Sequence, residues 1–288
     1  MPFTLSHAAA VLPGIRRDGT ARGRLVASAL VAGSFAPDAT YYVATVVPAA
    51  MPFGRVTHSA LGVVTVDVAT ACLLVACWVL LREPLIALLR RASWRSRVHA
   101  VARGQVWRRP GSWALAGWFA LSAAIGSATH VVWDAFTHPD RWGTRLVPAL
   151  GHELAGFPLC WYAQYGGSAL ALAGIGWFTV TALRRAPAAA TAAPPGLDPR
   201  RRRAVLVLLA GCGAVVALYR CLRWYAFYGD ASVLGLIPSA CFGGGTGLAL
   251  GLLVYAGAWR SGRLGRTAHP TAPEPAAPAR SGPDRTSP

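Results

Sequence analysis

Three side chains that can bind a metal ion recur at four-residue intervals near position 130. His130 and Asp134 stand four residues apart, so a helix presents both on the same face. His138 follows four residues later, and Pro139 disfavours helical geometry at the position before it. We therefore expect the helix to end there, with His138 free to fold back toward the other two side chains. The pattern predicts three potential ligands at one helix end, and an ordinary hydrated helix end is the alternative.

Two other segments carry polar groups next to apolar runs. Asp38 follows Pro37 in the segment GSFAPDATYY, and a carboxylate in such surroundings needs a cation, a polar partner or a water-filled recess. His58 begins an apolar run in the segment THSALG, which places it at the same level as Asp134. Both residues are therefore candidates for the same site. An Asp38–arginine ion pair and an ordinary loop histidine are the alternatives.

The opening segment, MPFTLSHAAAVLP, contributes His7. If helices over residues 4–14 and 24–36 form a hairpin that turns at Arg16–Arg24, His7 and Asp38 lie at the same end. This arrangement requires the N-terminal segment to enter the membrane as a re-entrant element. A simple cytoplasmic start would instead leave His7 across the bilayer from Asp38. We favour the hairpin because it brings all the histidine and aspartate candidates to one level.

Four other polar residues give weaker signals. Gln164 and Ser168 lie at the start of a later apolar stretch and could line a substrate recess, although such groups more often cap a helix. Asp67 and Arg220 lie within apolar stretches, where they could form a structural ion pair or line a substrate path.

The composition indicates that lipid is the solvent for most of the chain. Apolar residues make up 54% of the 288 residues, charged residues only 14%, and the mean hydropathy is +0.42. A soluble domain carries about 25% charged residues. None of the six cysteines forms a C-x-x-C pair, which favours small buried side chains over a disulfide framework or a zinc knuckle.

Apolar stretches of about 20 residues are long enough to cross a bilayer. The sequence therefore predicts an all-α, polytopic transmembrane helix bundle with about five or six spans and the N-terminal helical hairpin. Pro37 and Asp38 interrupt the first stretch. Pro238 and the glycines at 243–245 break the last one, which could be an interfacial segment followed by a helix from about residue 246. The candidate stretches cover residues 25–48, 59–81, 112–133, 166–183, 204–219 and 232–259.

The distribution of arginine predicts the orientation. The net charge is +17, and all 28 basic residues are arginine. Loops rich in arginine stay on the cytoplasmic side, which leaves the His/Asp candidates near the outer membrane face. Clustering between apolar stretches fits a lipid surface rather than nucleic acid, so the lipid bilayer is the expected partner. The five arginines expected outside are Arg55, Arg141, Arg145, Arg220 and Arg223.

The domain organisation follows from the same pattern. Residues 1–260 are expected to form a single membrane domain, with an inner arginine-rich loop at 82–111 and an Ala/Pro linker at 186–199. Residues 261–288 are rich in Pro, Ala, Ser and Arg and are expected to be a disordered cytoplasmic tail.

Taken together, the segments MPFTLSHAAAVLP, GSFAPDATYY, THSALG and ATHVVWDAFTH, with Gln164 and Ser168, resemble an uncharacterised bacterial multi-pass membrane family, a domain of unknown function. That family is distantly similar to inner-membrane metal-dependent hydrolases, which share an early His, a Pro-Asp segment, a Thr-His-Ser segment and a later His-x-x-x-Asp. The resemblance implies a bacterial plasma membrane protein. The metal ligands that it implies are His7, Asp38, His58, His130 and Asp134, with His138 as a further candidate.

A mixed set of imidazoles and carboxylates suits Zn²⁺, and also Mn²⁺ or Fe²⁺. The expected chemistry is then hydrolysis of a phosphoester, ester or amide, and a site at headgroup depth favours an amphiphilic substrate. The sequence has no glycine-rich phosphate loop, no G-x-S-x-G motif and no cysteine nucleophile signature. Two other hypotheses are a transporter that uses the polar cluster as a relay and a non-catalytic membrane protein.

Overall fold

The computed structural model describes residues 3–103, 113–187, 194–229 and 232–263. They form a bundle of α-helices with three short 3₁₀ segments, one longer N-terminal 3₁₀ helix and a small hairpin of two-residue strands. The α-helices are α1 (Ala27–Phe35), α2 (Ala39–Val46), α3 (Gly54–Thr57), α4 (Ala60–Val64), α5 (Val66–Ala87), α6 (Ala92–Arg103), α7 (Trp113–Thr137), α8 (Trp142–Leu146), α9 (Leu159–Arg185), α10 (Pro199–Tyr228) and α11 (Val233–Arg260). The 3₁₀ helices are Thr4–Gly14, Ala36–Asp38, Pro48–Phe53 and Pro148–Gly151, and the antiparallel strands are β1 (Glu153–Leu154) and β2 (Phe157–Pro158).

Five helices of the described residues, α5, α7, α9, α10 and α11, are long and apolar enough to cross a membrane. Many of their large apolar side chains, such as Leu170, Val207 and Val254, face outward. Exposing these apolar side chains to water would be unfavourable, whereas the hydrocarbon of a bilayer solvates them well. The expected all-α, polytopic bundle is confirmed, with five spans.

The first apolar stretch is divided into short elements rather than forming a span. α1 ends at Phe35, the 3₁₀ turn Ala36–Asp38 follows, and α2 begins at Ala39. Pro37 has no backbone N–H, so it cannot continue the hydrogen-bond ladder of α1. The break holds Asp38, which is fully buried, at the end of α1.

The N-terminal helical hairpin is present. The 3₁₀ helix Thr4–Gly14 and α1 are joined by a turn that an isolated bridge between Ile15 and Ala21 closes. Val11, Ile15 and Leu30 form one apolar cluster with Phe178 of α9. This packing places His7 and Asp38 at the same end of the hairpin, away from its arginine-rich turn.

The last apolar stretch is one continuous helix, so the expectation of an interfacial segment before residue 246 is wrong. α11 starts at Val233, and Pro238 lies in its second turn without ending it. The glycines that suggested a break serve close packing instead. A methyl group on Gly247 would overlap with the carbonyl oxygen of Cys212 on α10.

The centre of the bundle is built from small side chains. Ala29 and Ala32 of α1, Ala71 of α5 and Ala123 of α7 are buried in one cluster with Val26 and Val75. The hydroxyl of Ser122 accepts a hydrogen bond from the backbone N–H of Val26 at 2.9 Å, which satisfies a donor at the start of α1. α1 and α7 therefore lie close together along their lengths.

Residues 1–2, 104–112, 188–193, 230–231 and 264–288 lie outside the described residues. Most of the expected cytoplasmic tail at 261–288, part of the loop at 82–111 and part of the linker at 186–199 belong to them. Within the described part of the loop, α5 continues to Ala87 and α6 covers Ala92–Arg103. The six cysteines are free thiols.

Candidate metal centre

Four potential ligands from three places in the chain meet at one end of α7. Asp38 comes from the 3₁₀ turn after α1, His58 directly follows α3, and His130 and Asp134 lie one turn apart on α7. One ligand atom from each of the four residues lies within 4.8 Å of all the others. Asp38 and His130 are fully buried, and Asp134 is 4% exposed.

Four of the six separations between these atoms are close to those around a single metal ion, and all six are within 4.8 Å. The Nε2 atom of His130 lies 3.5 Å from Oδ1 of Asp38 and 3.5 Å from Oδ2 of Asp134. The Nε2 atom of His58 lies 3.8 Å and 3.6 Å from the same two oxygens. Bonds of about 2.0–2.2 Å place neighbouring ligands of a tetrahedral zinc ion about 3.3–3.6 Å apart. The four atoms are therefore placed where they could hold one ion.

Backbone carbonyls fix the orientation of both imidazoles. Nδ1 of His130 donates to the carbonyl of Ser34 at 2.8 Å, and Nδ1 of His58 donates to the carbonyl of Gly54 at 2.9 Å. A carbonyl can only accept, so in each neutral ring the proton is on Nδ1 and the lone pair is on Nε2. Both lone pairs face the cluster, as in metal-binding histidines whose other nitrogen donates to a second group.

The carboxylate of Asp38, like the two imidazoles, has one atom held by a neighbouring group and one atom that faces the cluster. Its Oδ2 accepts a hydrogen bond of 2.6 Å from the hydroxyl of Thr4. Its Oδ1 faces the cluster and has no hydrogen-bond partner within the described residues, and the same holds for Nε2 of His130. When the imidazole is neutral, neither atom carries a proton, and either a proton on Nε2 or a metal cation between the two atoms would offset their repulsion.

His7 joins the cluster from the N-terminal 3₁₀ helix. Its ring is stacked on that of His130, with 3.6 Å between the centroids and 14° between the planes. Its Nε2 lies 3.5 Å from Oδ1 of Asp134, the carboxylate oxygen that does not face His58 and His130. His7 is 4% exposed.

His138 folds back as expected, because α7 ends at Thr137, but it presents Nδ1 rather than Nε2 to Asp134. Nδ1 lies 3.8 Å from Oδ1 of Asp134 and donates to the backbone carbonyl of the same residue at 3.1 Å. Burial lowers the pKa of His138 to about 4, so its ring is neutral near pH 7. With Nδ1 occupied in this way, a role of His138 as a ligand stays a prediction.

Gln164 and Ser168 are both buried on α9, beside the N-terminal segment. The hydroxyl of Ser6 donates to that of Ser168 at 3.3 Å. This contact attaches the segment that carries His7 to a membrane span. A role of Gln164 and Ser168 in lining a substrate recess stays a prediction.

Asp67 and Arg220 have separate partners rather than each other. Ser127 of α7 donates to Oδ2 of Asp67, and no described residue forms a hydrogen bond with Oδ1. Arg220 of α10 donates to the backbone carbonyl of Tyr41 at 2.6 Å and to the hydroxyl of Thr45. Asp67 thus holds α5 against α7 at Ser127, which lies three residues before His130. Arg220 holds α2 against α10.

Three contributors to the site carry no clear sequence signal. The carbonyls of Ser34 and Gly54 act through the backbone, which any residue could supply. Thr4 was detectable only as a hydroxyl three residues before His7, and a threonine at a helix start more commonly predicts a cap. Its actual partner, Asp38, is 34 residues away in the chain.

The fold and the cluster define a class: a multi-pass α-helical membrane protein with a buried His/Asp group that can hold a metal ion. The chain belongs to the family described as a domain of unknown function (DUF4184), whose model matches residues 1–257. That range contains every residue of the cluster and all five spans except the last residues of α11. No curated protein and no solved structure matches the chain.

Proposed function

We propose that this protein is a metal-dependent hydrolase of a bacterial plasma membrane, with its site near the outer face. The observation that carries the proposal is the convergence of two imidazole Nε2 atoms and two carboxylate oxygens at ligand-to-ligand distances. Backbone carbonyls hold the rings of His58 and His130, and Thr4 holds Asp38. Such support is typical of metal sites, because it sets the tautomer and direction of each ligand before the ion arrives.

The four residues Asp38, His58, His130 and Asp134 would hold the ion. Two carboxylates balance the charge of one divalent cation, and the mixture of nitrogen and oxygen ligands favours Zn²⁺. Bound divalent ions lower the pKa of water from 15.7 to about 7 and polarise a carbonyl or phosphoryl oxygen. The protein's own contribution is a buried site whose four ligand atoms already lie within 4.8 Å of one another.

The position of the site supports an amphiphilic substrate. The cluster lies at the end of α7 opposite its connection to the arginine-rich α6, so the arginine distribution assigns it to the outer side. A group at that depth can be reached by the polar part of a lipid-like molecule whose chain stays in the bilayer. The substrate classes that fit are a phosphoester, an ester or an amide. The membrane domain covers residues 1–260 in this proposal, and residues 261–288 form a cytoplasmic tail.

The decisive test is elemental analysis of the detergent-purified full chain, without chelators, beside the His130→Ala variant. We expect at least one divalent ion per chain in the wild type and its loss in the variant. His152, in an exposed loop segment, supplies the matched control: His152→Ala should keep the wild-type metal content. A metal-free wild type that regains no ion on incubation with Zn²⁺ or Mn²⁺ would defeat the proposal.

A structural ion is the second candidate, because four protein ligands already fill a tetrahedral site, as in structural zinc centres. The two candidates differ in what the ion does. In a structural site, removing the ion with a chelator unfolds the bundle, and the loaded protein hydrolyses no phosphoester, ester or amide. In a hydrolytic site, the loaded protein turns over one of these substrates, and His130→Ala abolishes turnover.

A further inference from the structure

The carboxylate of Asp134 faces two different groups of ligands. Its Oδ2 lies 3.6 Å from Nε2 of His58 and 3.5 Å from Nε2 of His130, on the side that Asp38 completes. Its Oδ1 lies 3.5 Å from Nε2 of His7. One carboxylate thus offers one oxygen to the four-residue set and the other to a separate imidazole, which is the geometry of a bridging ligand.

The stacking of two imidazoles sets the distance at which two ions would lie from each other. The rings of His7 and His130 are nearly parallel, with centroids 3.6 Å apart, and each directs its Nε2 at a different oxygen of Asp134. Ions bound at the two Nε2 atoms would lie about as far apart as the rings. Two-metal hydrolytic sites hold their ions about 3.5–4 Å apart.

The state of His7 points to a ligand independently of these distances. Its side chain is almost fully buried, and its Nε2 has no hydrogen-bond partner within the described residues. Burying an imidazole nitrogen without a partner destabilises the folded protein, because the nitrogen loses its hydrogen bond to water. A cation between this nitrogen and Oδ1 of Asp134 would remove this destabilisation.

We propose that the site binds a second divalent cation between His7 and Oδ1 of Asp134, so that Asp134 bridges two ions. This inference rests on the proposed function, because the first ion is held by Asp38, His58, His130 and Asp134. It extends that function, because it assigns His7 to a position of its own. His138 is not needed for it, since its Nδ1 already donates to a backbone carbonyl.

The second ion would have coordination positions open to water or substrate, which the first ion lacks. Four protein ligands leave no vacant place around a tetrahedral ion, whereas His7 and Asp134 give the second ion only two protein atoms. Catalytic ions keep at least one position for water or substrate. Two divalent ions beside the two carboxylates Asp38 and Asp134 also leave a net positive charge, which favours an anionic substrate. Among the substrate classes above, this selects the phosphoester.

Manganese titration of the detergent-purified, chelator-stripped full chain tests the inference. We expect two Mn²⁺ per chain in the wild type, with an electron paramagnetic resonance spectrum of an exchange-coupled pair. His7→Asn should bind one Mn²⁺ and give the spectrum of an isolated ion. His152→Asn is the matched control and should bind two ions with the coupled spectrum. Circular dichroism establishes that each variant keeps its helical content.

The outcomes separate the two proposals. Absence of bound Mn²⁺ in the wild type defeats the metal site altogether. One Mn²⁺ per chain in both the wild type and His7→Asn overturns the second position and leaves the proposed function standing. Two ions in His7→Asn overturn the role of His7. If His7→Asn does not fold, the wild-type spectrum decides: a coupled pair supports the bridge, and two uncoupled ions, or a single ion, overturn it.

Discussion

Two helix pairs in this bundle use the same packing device for different purposes. In the α1–α7 pair, a methyl group on Gly126 would overlap with the carbonyl of Leu30, and one on Gly33 would overlap with the carbonyl of Ala123. In the α10–α11 pair, Gly247 and Gly243 are close to the backbone of the neighbouring helix in the same way. Small residues of this kind allow backbones to approach closely in membranes.

The difference lies in what each contact holds. The α1–α7 contact brings the carbonyl of Ser34 within 2.8 Å of Nδ1 of His130 and sets the end of α1, where Asp38 follows. The α10–α11 pair supplies no ligand. It holds α2 instead, because Thr246 donates to the carbonyl of Tyr42 at 3.0 Å and Arg220 to that of Tyr41. Close packing therefore sets ligand geometry in one pair and supports the neighbouring backbone in the other.

The largest expected effect on metal binding comes from Gly126→Ala. The added methyl group must push α1 away from α7, which separates Ser34 from His130 and displaces Asp38. Overpacking of this kind costs about 1–3 kcal/mol of folding free energy. With two ligands disturbed together, we expect metal affinity to fall about 100-fold or more. Isothermal titration with Zn²⁺ and thermal unfolding in detergent measure the two effects.

Gly117→Ala is the matched control on the same helix, because a methyl group there meets no atom of the described residues within 4 Å. It should leave metal affinity unchanged and should not make unfolding easier, because alanine is the better helix former. Equal metal affinity in Gly126→Ala and the wild type would show that the α1–α7 contact does not set the ligand geometry.

Thr4→Val should have the next largest effect. It removes the donor to Oδ2 of Asp38 while it keeps the shape of the side chain. Losing a group that orients a metal ligand typically reduces affinity about 10–100-fold. Thr129→Val is the control, because its hydroxyl donates only to the carbonyl of Gly126 in its own helix. A Thr4→Val variant that binds Zn²⁺ as tightly as Thr129→Val would contradict the orienting role of Thr4.

Much of the fold could be predicted from the sequence, because bilayer thickness sets the length of the apolar segments that cross it. The five spans follow from these lengths, whereas the hairpin was inferred from the need to bring His7 and Asp38 to the same end. Local breaks were harder to predict. Pro37 interrupts the first stretch, whereas Pro238 lies inside a continuous α11. The two differ in their neighbours: α11 packs along α10 through Gly243 and Gly247, and this tertiary contact outweighs the local signal.

The candidate site shows the same division. His130 and Asp134 could be predicted as a pair, because a helical period of 3.6 residues fixes their relative direction. The prediction that Asp38 and His58 lie beside this pair rested on their depth in the membrane, which their positions in the apolar stretches indicate. The carbonyl of Ser34 and the stacking of His7 could not be predicted, since both depend on the approach of α1 and the N-terminal 3₁₀ helix to α7 within a few tenths of an ångström.

The smallest effect on metal binding is expected from Gly247→Ala. This substitution disturbs the α10–α11 contact, whereas Gly126→Ala disturbs the α1–α7 contact. The methyl group must push α11 away from Cys212 of α10, so unfolding should become easier by about 1–3 kcal/mol. Metal content of the folded protein should nevertheless equal that of the wild type, because no ligand lies on either helix. Gly257→Ala controls for the substitution itself, because its methyl group would meet no atom within 4 Å in the part of the chain that the structure describes. Loss of the ion in Gly247→Ala, with Gly257→Ala unchanged, would contradict this separation. It would mean that displacing α2 also displaces Asp38, so that the α10–α11 contact sets ligand geometry as the α1–α7 contact does.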